Sequence, residues 1–408
     1  MYSMNTNQYT WKVAGTTVFG VDAINQIGEL AKSLTTSNVA LIITDKGVLD
    51  TGMIEKARKP LETAGFKVEV WHQAVPGEPT IESIEQAVEE TRNVNPGVVI
   101  AFGGGSVLDS SKIIAQQLAL GGKIMDYLPQ VSWPKKGLPI LAVPTTAGTG
   151  SETTAFAVLG APGADSKVLV KAFFCDPKIV PDVALVDPML TVGMPASLTA
   201  ATGVDALTHV VGASYTKLAN PYTRGMCLHA IENIVKYLPI AVAHPNNLEA
   251  RVQMAYASYV GGASIQLAGA AEDHAFGHVL GSFFHCQHGI ACAIALPSTM
   301  EYNVLLNTKE LGDVAKAMGE NITGLTAREA AFKAIYAVRT FLGDLGFPIA
   351  IKDLKGANKD DLPTIIDWMH ASPWITPFYQ VWTKRVMSKA NAEKLVMRAW
   401  DGEVGTAY

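Results

Sequence analysis

Residues 97–112, GVVIAFGGGSVLDSSK, lead from a β-branched run through three consecutive glycines into a helical pattern. A short apolar run bounded by turn residues reads as a buried strand, and the residues after Ser106 open a helix. The glycines between them admit two readings. Without Cβ atoms the backbone can approach a ligand closely, at a helix N-terminus whose free N–H groups and positive dipole end suit a pyrophosphate. Alternatively they serve a tight turn that needs φ > 0. Working outward, VALIITD (39–45), FKVEVW (66–71), LPILAVP (138–144) and VALVD (183–187) repeat the strand signature. Helical stretches lie between them near MIEKARKPLETAG (53–65) and IESIEQAVEETRNV (81–94), where Ile81, Ile84, Ala87, Val88 and Thr91 fall at helical spacing. Strand and helix in alternation predict an α/β domain with a mostly parallel sheet.

Two neighbours favour the ligand reading of the glycines. Asp45 closes the VALIITD strand, where a carboxylate can accept hydrogen bonds from a ribose. PTTAGTGSETT (144–154) follows another strand with hydroxyls and glycines suited to a nicotinamide and its phosphates. The order differs from the G-x-G-x-x-G fingerprint, because the glycine loop follows a later strand.

The chain has 408 residues, more than one core usually organises, so two domains are expected. After DPMLTVGMP (187–195) the β-branched runs give way to alanine-rich helical patterns such as SLTAATGVDALTHVVGASY (197–215). The expectation is an α/β domain over 1–190 and an all-helical domain over 191–408, with a cleft between them. A net charge of −5 offers no field for nucleic acid, which is excluded as a partner. The N-terminus has no secretory signal pattern and no apolar run approaches the ~20 residues of a membrane span, so the expected location is the cytoplasm, away from membrane. Four cysteines without CxxC spacing are expected reduced and buried, with Cys286 near any site its histidine neighbours form.

Four of the nine histidines fall within HAFGHVLGSFFHCQHG (274–289). His274 and His278 are four apart, as are Asp205 and His209 in GVDALTH, so each pair shares a helix face. One such pair is weak, since a helix histidine is more often hydrogen-bonded packing. Together, Asp205, His209, His274 and either His278 or His288 make a three-imidazole, one-carboxylate set suited to Fe²⁺ or Zn²⁺. His72, His229, His244 and His370 have no comparable neighbours.

GGGSVLDSSK, PTTAGTGSE, the VDP turn, ATGVDALTH and the H-x-x-x-H-x-x-G-x-x-x-x-x-x-HG arrangement, in this order, resemble the iron-dependent (group III) alcohol dehydrogenases over about residues 10 to 300. The resemblance implies a dinucleotide-binding domain joined to a helical metal-binding domain, a dehydroquinate-synthase-like architecture. It implies Asp205, His209, His274 and His288 as metal ligands, with His278 close to the metal but not on it. It places cofactor contacts on Asp45, Gly104, Gly105, Ser106, Asp109, Thr145, Thr146, Thr149, Lys171 and Leu190. The implied cofactors are NAD, with NADP as the alternative, and Fe²⁺, with Zn²⁺ or another divalent ion as the alternative. Two departures stand near the site: the family's DALTHAIE reads DALTHVVG, with Gly212 for an acidic residue, and its PHG reads QHG, with Gln287 for proline.

The function implied is reversible reduction of an aldehyde or ketone to an alcohol by hydride transfer with NAD(H), the metal acting as Lewis acid on the substrate oxygen. His278 is expected either to relay the proton or to support the metal site. The substrate is a small-molecule alcohol or aldehyde, held by Phe156, Phe283, Phe284, His285 and Trp374, and the assembly a homodimer or higher homo-oligomer. Glycerol-dehydrogenase-like and dehydroquinate-synthase-like enzymes share this fold, and a metallohydrolase could use the same ligands. A hydrolase, however, has no use for Asp45, GGGS and TTAGT together.

Overall fold

The computed structural model describes residues 12–77, 79–127, 132–162, 169–371 and 380–405. Its centre is a six-stranded sheet of β1 (Thr16–Phe19), β2 (Val39–Ile43), β3 (Lys67–Trp71), β4 (Val98–Gly103), β5 (Ile140–Pro144) and β8 (Val183–Val186), in the order β1-β8-β5-β4-β2-β3. Every pairing in it is parallel. The central strand β4 is buried along its whole length, which explains its unbroken apolar sequence. Alternate residues serve opposite faces. Leu41, Ile43, Val99 and Ala101 pack under α4 (Ile81–Thr91) and α5 (Gly105–Leu120). Ala40, Ile42, Ile100 and Phe102 pack under α1 (Ile27–Leu34) and α3 (Glu55–Thr63), with the short α2 (Lys46–Asp50) just before α3.

The chain leaves β2 for β3 on one side and returns to β4 on the other, with Ile43 beside Ala101. This reversal is the topological switch point at which open parallel sheets hold ligands, beyond the carboxyl ends of the strands. Asp45 and the glycine loop stand on its two sides.

Two features were not foreseen from sequence. Strand β1, TTVF, is a four-residue edge strand exposed along most of its length, so it carries only two apolar residues as a signature. β6 (Phe156–Pro162) and β7 (Leu169–Cys175) form a separate antiparallel hairpin.

After β8 the described residues hold helices only: α6 (Ala196–Ala213), α7 (Pro221–Ala243), α8 (Leu248–Ala268), α9 (Glu272–Phe284), α10 (His288–Asn303), α11 (Thr308–Ala317), α12 (Ala327–Asp344), α13 (Leu362–Ala371) and α14 (Lys389–Asp401). Helix α6 is buried without interruption from Gly203 to Ala213. A helix apolar on all sides belongs at a core centre, and α6 packs against α7, α8 and α10. Among the described residues two helical segments, Pro221–Ala243 and His288–Leu306, are by length and composition alone apolar enough to cross a membrane, where the sequence showed no such run; the second is mostly buried within the fold, as a core helix is.

Candidate active site

One cleft is lined by Gly105, Ser106 and Thr149 from the α/β part and by Asp205, His209, His274, His278 and His288 from the helical part. Its floor is built by three helices. Asp205 and His209 lie one turn apart on α6, His274 stands in the first turn of α9, and His288 opens α10. Asp205 Oδ1 is 3.5 Å from His274 Nε2, 3.5 Å from His288 Nε2 and 3.9 Å from His209 Nε2. The His209 and His274 rings stack at 4.3 Å.

These distances can be tested against an ion. Ligand bonds of ~2.1 Å at tetrahedral angles set neighbouring donors about 3.4 Å apart. The two 3.5 Å separations meet that value, and His209 fits a wider angle. Asp205 Oδ1 and His274 Nε2 are also buried and have no hydrogen-bond partner among the described residues, although such atoms normally find one. A divalent cation would satisfy both. The electrostatics agree: burial alone would push the Asp205 carboxyl up, but His209, His288 and His274 together hold it well below the usual carboxylate range. Burial lowers the His209 imidazole to about 4, leaving it neutral as a ligand must be, whereas at His274 burial is outweighed by Asp205 and Asp273, which raise it to about 9, so a cation would displace a proton there.

Cys292 was not foreseen as part of this cluster. Its sulfur joins the donor atoms of Asp205, His274 and His288 within 4.8 Å of one another, and lies 3.6 Å from His288 Nε2. The signal was available, because Cys292 follows His288 by one helical turn. Cys286, the cysteine singled out from sequence, is not in the cleft lining. His278 lines the cleft with its ring 5.1 Å from that of His288, but is not among the imidazoles within 4.0 Å of Asp205. Burial, then His288 and Lys171, hold its imidazole well below the ordinary value.

On the nucleotide side, the glycines 103–105 are not in the left-handed region. They are required by close approach instead. A Cβ on Gly103 would meet Val107 Cγ2 at 2.6 Å, and one on Gly105 would meet Thr149 Cγ2 at 2.5 Å. Gly104 stands at the N-cap of α5 with no side-chain cap, so the first N–H groups of a 16-residue helix face outward. Thr145 N–H bonds Gly103 O at 2.9 Å, and Thr146 is the neighbour a Cβ on Gly104 would meet, so the TTAGT run braces the loop.

Other residues matched to cofactor contacts have structural duties as well. Asp45 caps α2, its Oδ1 accepting from Val48 N–H at 2.9 Å. Lys46 is turned away to Asp50, 2.9 Å distant. Asp109 lines the cleft, but Oδ1 accepts from Ser151 Oγ at 2.6 Å and Oδ2 from Val158 N–H at 3.0 Å. Lys112, fully buried, ties the same elements together through Ser151 Oγ (2.7 Å) and Phe156 O (2.6 Å). Lys171 lies on β7 in the cleft wall, its Nζ against α9 at Gly281. Leu190 has its side chain in the apolar core beneath the sheet.

The aromatic pocket differs from the expected one. Phe156 lines the cleft, in contact with Phe173 at 5.0 Å and Trp382 at 5.8 Å. Gly269, at φ +78°, leaves the space the Trp382 ring fills. Phe283 and Phe284, both half-buried, pack against the helical core, Phe283 against Trp368. His285 is exposed, ending α9 in the left-handed conformation, and so does not reach the cleft. Trp374 lies outside the described residues. Gln287 at φ −56° holds the backbone angle that a proline would impose, so its replacement of proline leaves His288 in place.

Comparison with known proteins places this geometry. The profile of iron-containing alcohol dehydrogenases matches residues 14–188, and that of the C-terminal part of the Fe-containing alcohol dehydrogenase family matches 199–388, well past the point where the motifs end. The NAD-dependent methanol dehydrogenase of Bacillus methanolicus is 36% identical over 345 residues, 85% of this chain and 89% of the relative. The 1,3-propanediol dehydrogenase of Klebsiella pneumoniae is 36% identical over 362 residues, 88% and 92% of the two chains. Among solved structures, a 1,3-propanediol oxidoreductase superposes with a TM-score of 0.89 at 33% identity, covering 96% of this chain and 100% of that one. The alcohol dehydrogenase of Oenococcus oeni gives 0.89 at 30%, again over 96% and 100%. With both halves matched and the cleft falling between them, the chain belongs to the iron-containing alcohol dehydrogenase family.

Proposed function

We propose that the protein interconverts a small alcohol and its aldehyde or ketone with NAD(H), and that Asp205, His209, His274 and His288 hold ferrous iron. The observation that carries this reading is the meeting in one cleft of an unsatisfied carboxylate–imidazole cluster and a glycine-opened helix N-terminus. Residues 1–190 serve as the cofactor domain and 191–408 as the metal and substrate domain. When bound, the iron would supply Lewis acidity toward the substrate oxygen and the nicotinamide the hydride. The N–H groups at Gly104 to Ser106 receive the pyrophosphate, braced by Thr145, Thr146 and Thr149, while Asp45 accepts from the adenosine ribose.

Phe156, Phe173 and Trp382 cover the apolar side of the substrate and keep water from the reacting carbon. His278, which lines the cleft beside His288 and is kept neutral by burial, either relays the alcohol proton or supports the metal site. The names of the relatives, methanol and 1,3-propanediol dehydrogenases, favour a short primary alcohol. A cytoplasmic location is supported by the four cysteines forming no disulfide, of which Cys227 and Cys292 are buried as expected while Cys286 is half-buried and Cys175 exposed; a homo-oligomeric assembly is the further expectation. The test is NADH oxidation against a panel of aldehydes by enzyme reconstituted anaerobically with Fe²⁺, Zn²⁺ or Mn²⁺. Metal-dependent turnover of short aldehydes is expected; hydrolytic activity without NADH consumption would overturn the reading.

A further inference from the structure

Gly212 is one of the two departures from the family pattern, and the structure shows what occupies the space it leaves. A Cβ at this position would stand 2.7 Å from Asp273 Oδ2, 3.3 Å from Asp273 Oδ1 and 3.1 Å from Ala271 Cβ. The Asp273 carboxylate, entirely buried, is thus seated where a side chain at 212 would lie. Its Oδ1 accepts from the His274 backbone N–H at 2.7 Å and pairs with His274 Nδ1 at 2.7 Å. Tyr215 Oη reaches Oδ2 at 3.4 Å. Because a carboxylate accepts, Nδ1 carries the hydrogen, so the lone pair offered to a cation, which displaces any proton there, is on Nε2. That atom is the one turned to Asp205 Oδ1, 3.5 Å away, and it has no hydrogen-bond partner among the described residues. A carboxylate on the far nitrogen of a ligating histidine fixes its tautomer and ring orientation and raises its basicity.

We propose that Asp273 is a positioning residue of the metal centre, and that Gly212 is the counterpart that admits it. The family pattern carries an acidic residue on α6 at 212; in this chain a carboxylate enters the same space from α9, one residue before the ligand it orients. The proposal rests on the reading of Asp205, His209, His274 and His288 as the metal site.

The test is Co²⁺ affinity of the full-length protein, measured by competition with a chelator and followed through the visible d–d absorption. Asp273→Asn, which keeps the shape and removes the charge, should weaken Co²⁺ binding about tenfold, and Asp273→Ala by up to about 100-fold, both with a shifted absorption band. Gly212→Glu alone forces two acids into one space and should lower the melting temperature of the metal-free protein. The double variant Gly212→Glu/Asp273→Ala returns one carboxylate from α6 and should recover affinity lost in Asp273→Ala. A double variant no better than Asp273→Ala would refute the exchange between the two positions. If Asp273→Ala does not fold, the near-isosteric Asp273→Asn decides. Wild-type affinity and an unchanged band in the Asp273 variants overturn the proposal while leaving the metal site intact. A wild type that takes up no Co²⁺ overturns the metal reading itself, and this proposal with it.

Discussion

His288 Nε2 and Asp205 Oδ1 stand 3.5 Å apart, one at the first residue of α10 and the other in the middle of the buried helix α6. Two helices therefore fix the pair without any help from a flexible loop. Removing either imidazole closest to the carboxylate, by His274→Ala or His288→Ala, should strip metal and activity and leave NADH binding intact. The loss should exceed the roughly 10–100-fold cost of removing a mere supporting partner. Cys292 and His209 both stand beside the Asp205, His274 and His288 donors, and the imidazole reading predicts that Cys292→Ser retains metal while His209→Ala loses it. Metal analysis of the purified variants distinguishes the two donors; retention in His209→Ala with loss in Cys292→Ser would assign the fourth ligand to sulfur.

Gly105 faces Thr149 at a distance that admits no Cβ. Gly105→Val should push the TTAGT run away from the glycine loop and raise the NADH dissociation constant about tenfold or more, a loss of ~1.4 kcal/mol. Metal content should not change. Fluorescence titration with NADH measures this, and unaltered affinity would place the pyrophosphate elsewhere.

Asp45 should make NAD the preferred cofactor. A 2′-phosphate beside its carboxylate would be repelled by ~1 kcal/mol in water and by several times that in a shielded cleft, and Lys46 is engaged with Asp50. Because Asp45 also caps α2, Asp45→Ser is the cleaner variant: it keeps a capping oxygen and removes the charge. Both Asp45→Ser and Asp45→Gly should improve NADPH relative to NADH. A wild type that already favours NADPH would show that Asp45 does not read the ribose.

Glu152 is buried beside the loop, and burial pushes its carboxyl up to about 7 from an ordinary 4.5, despite the pull of Lys112. Between those values the folded protein holds a proton that the unfolded chain has released. Its contribution to stability is therefore complete below about pH 4.5 and is lost as the pH rises through about 7. Glu152→Gln should nearly match the wild type at pH 4 and be more stable by about 3 kcal/mol at pH 7.5. Urea denaturation at the two pH values checks this; an equal difference at both would show that Glu152 does not titrate in this range.

The parallel sheet was legible because β2, β4, β5 and β8 are apolar runs and β3 alternates apolar with charged residues, and the helical half because its alanine-rich periodicity is long. Strand β1 was not legible, being short, mostly exposed and stabilised by its neighbour β8 rather than by its own residues. The i, i+4 spacing of Asp205 with His209 placed two donors on one face, but only the packing of α6, α9 and α10 brings His274 and His288 to them. Phe173 and Trp382 escaped notice for the same reason, since the hairpin and the C-terminal segment meet the cleft only in three dimensions. The expectation for Phe283, Phe284 and His285 failed because proximity in sequence to His288 does not survive the left-handed turn at His285 that separates α9 from α10.

The central claim is that one divalent ion sits among Asp205, His209, His274 and His288, opposite the glycine loop. The most direct measurement is anomalous X-ray diffraction at the iron edge from crystals of protein reconstituted anaerobically with Fe²⁺ and grown with NAD. One strong peak within bonding distance of those four side chains, facing the nicotinamide, is the predicted result. An iron peak bound elsewhere, or none in a crystal whose protein turns over aldehyde with NADH, would contradict it.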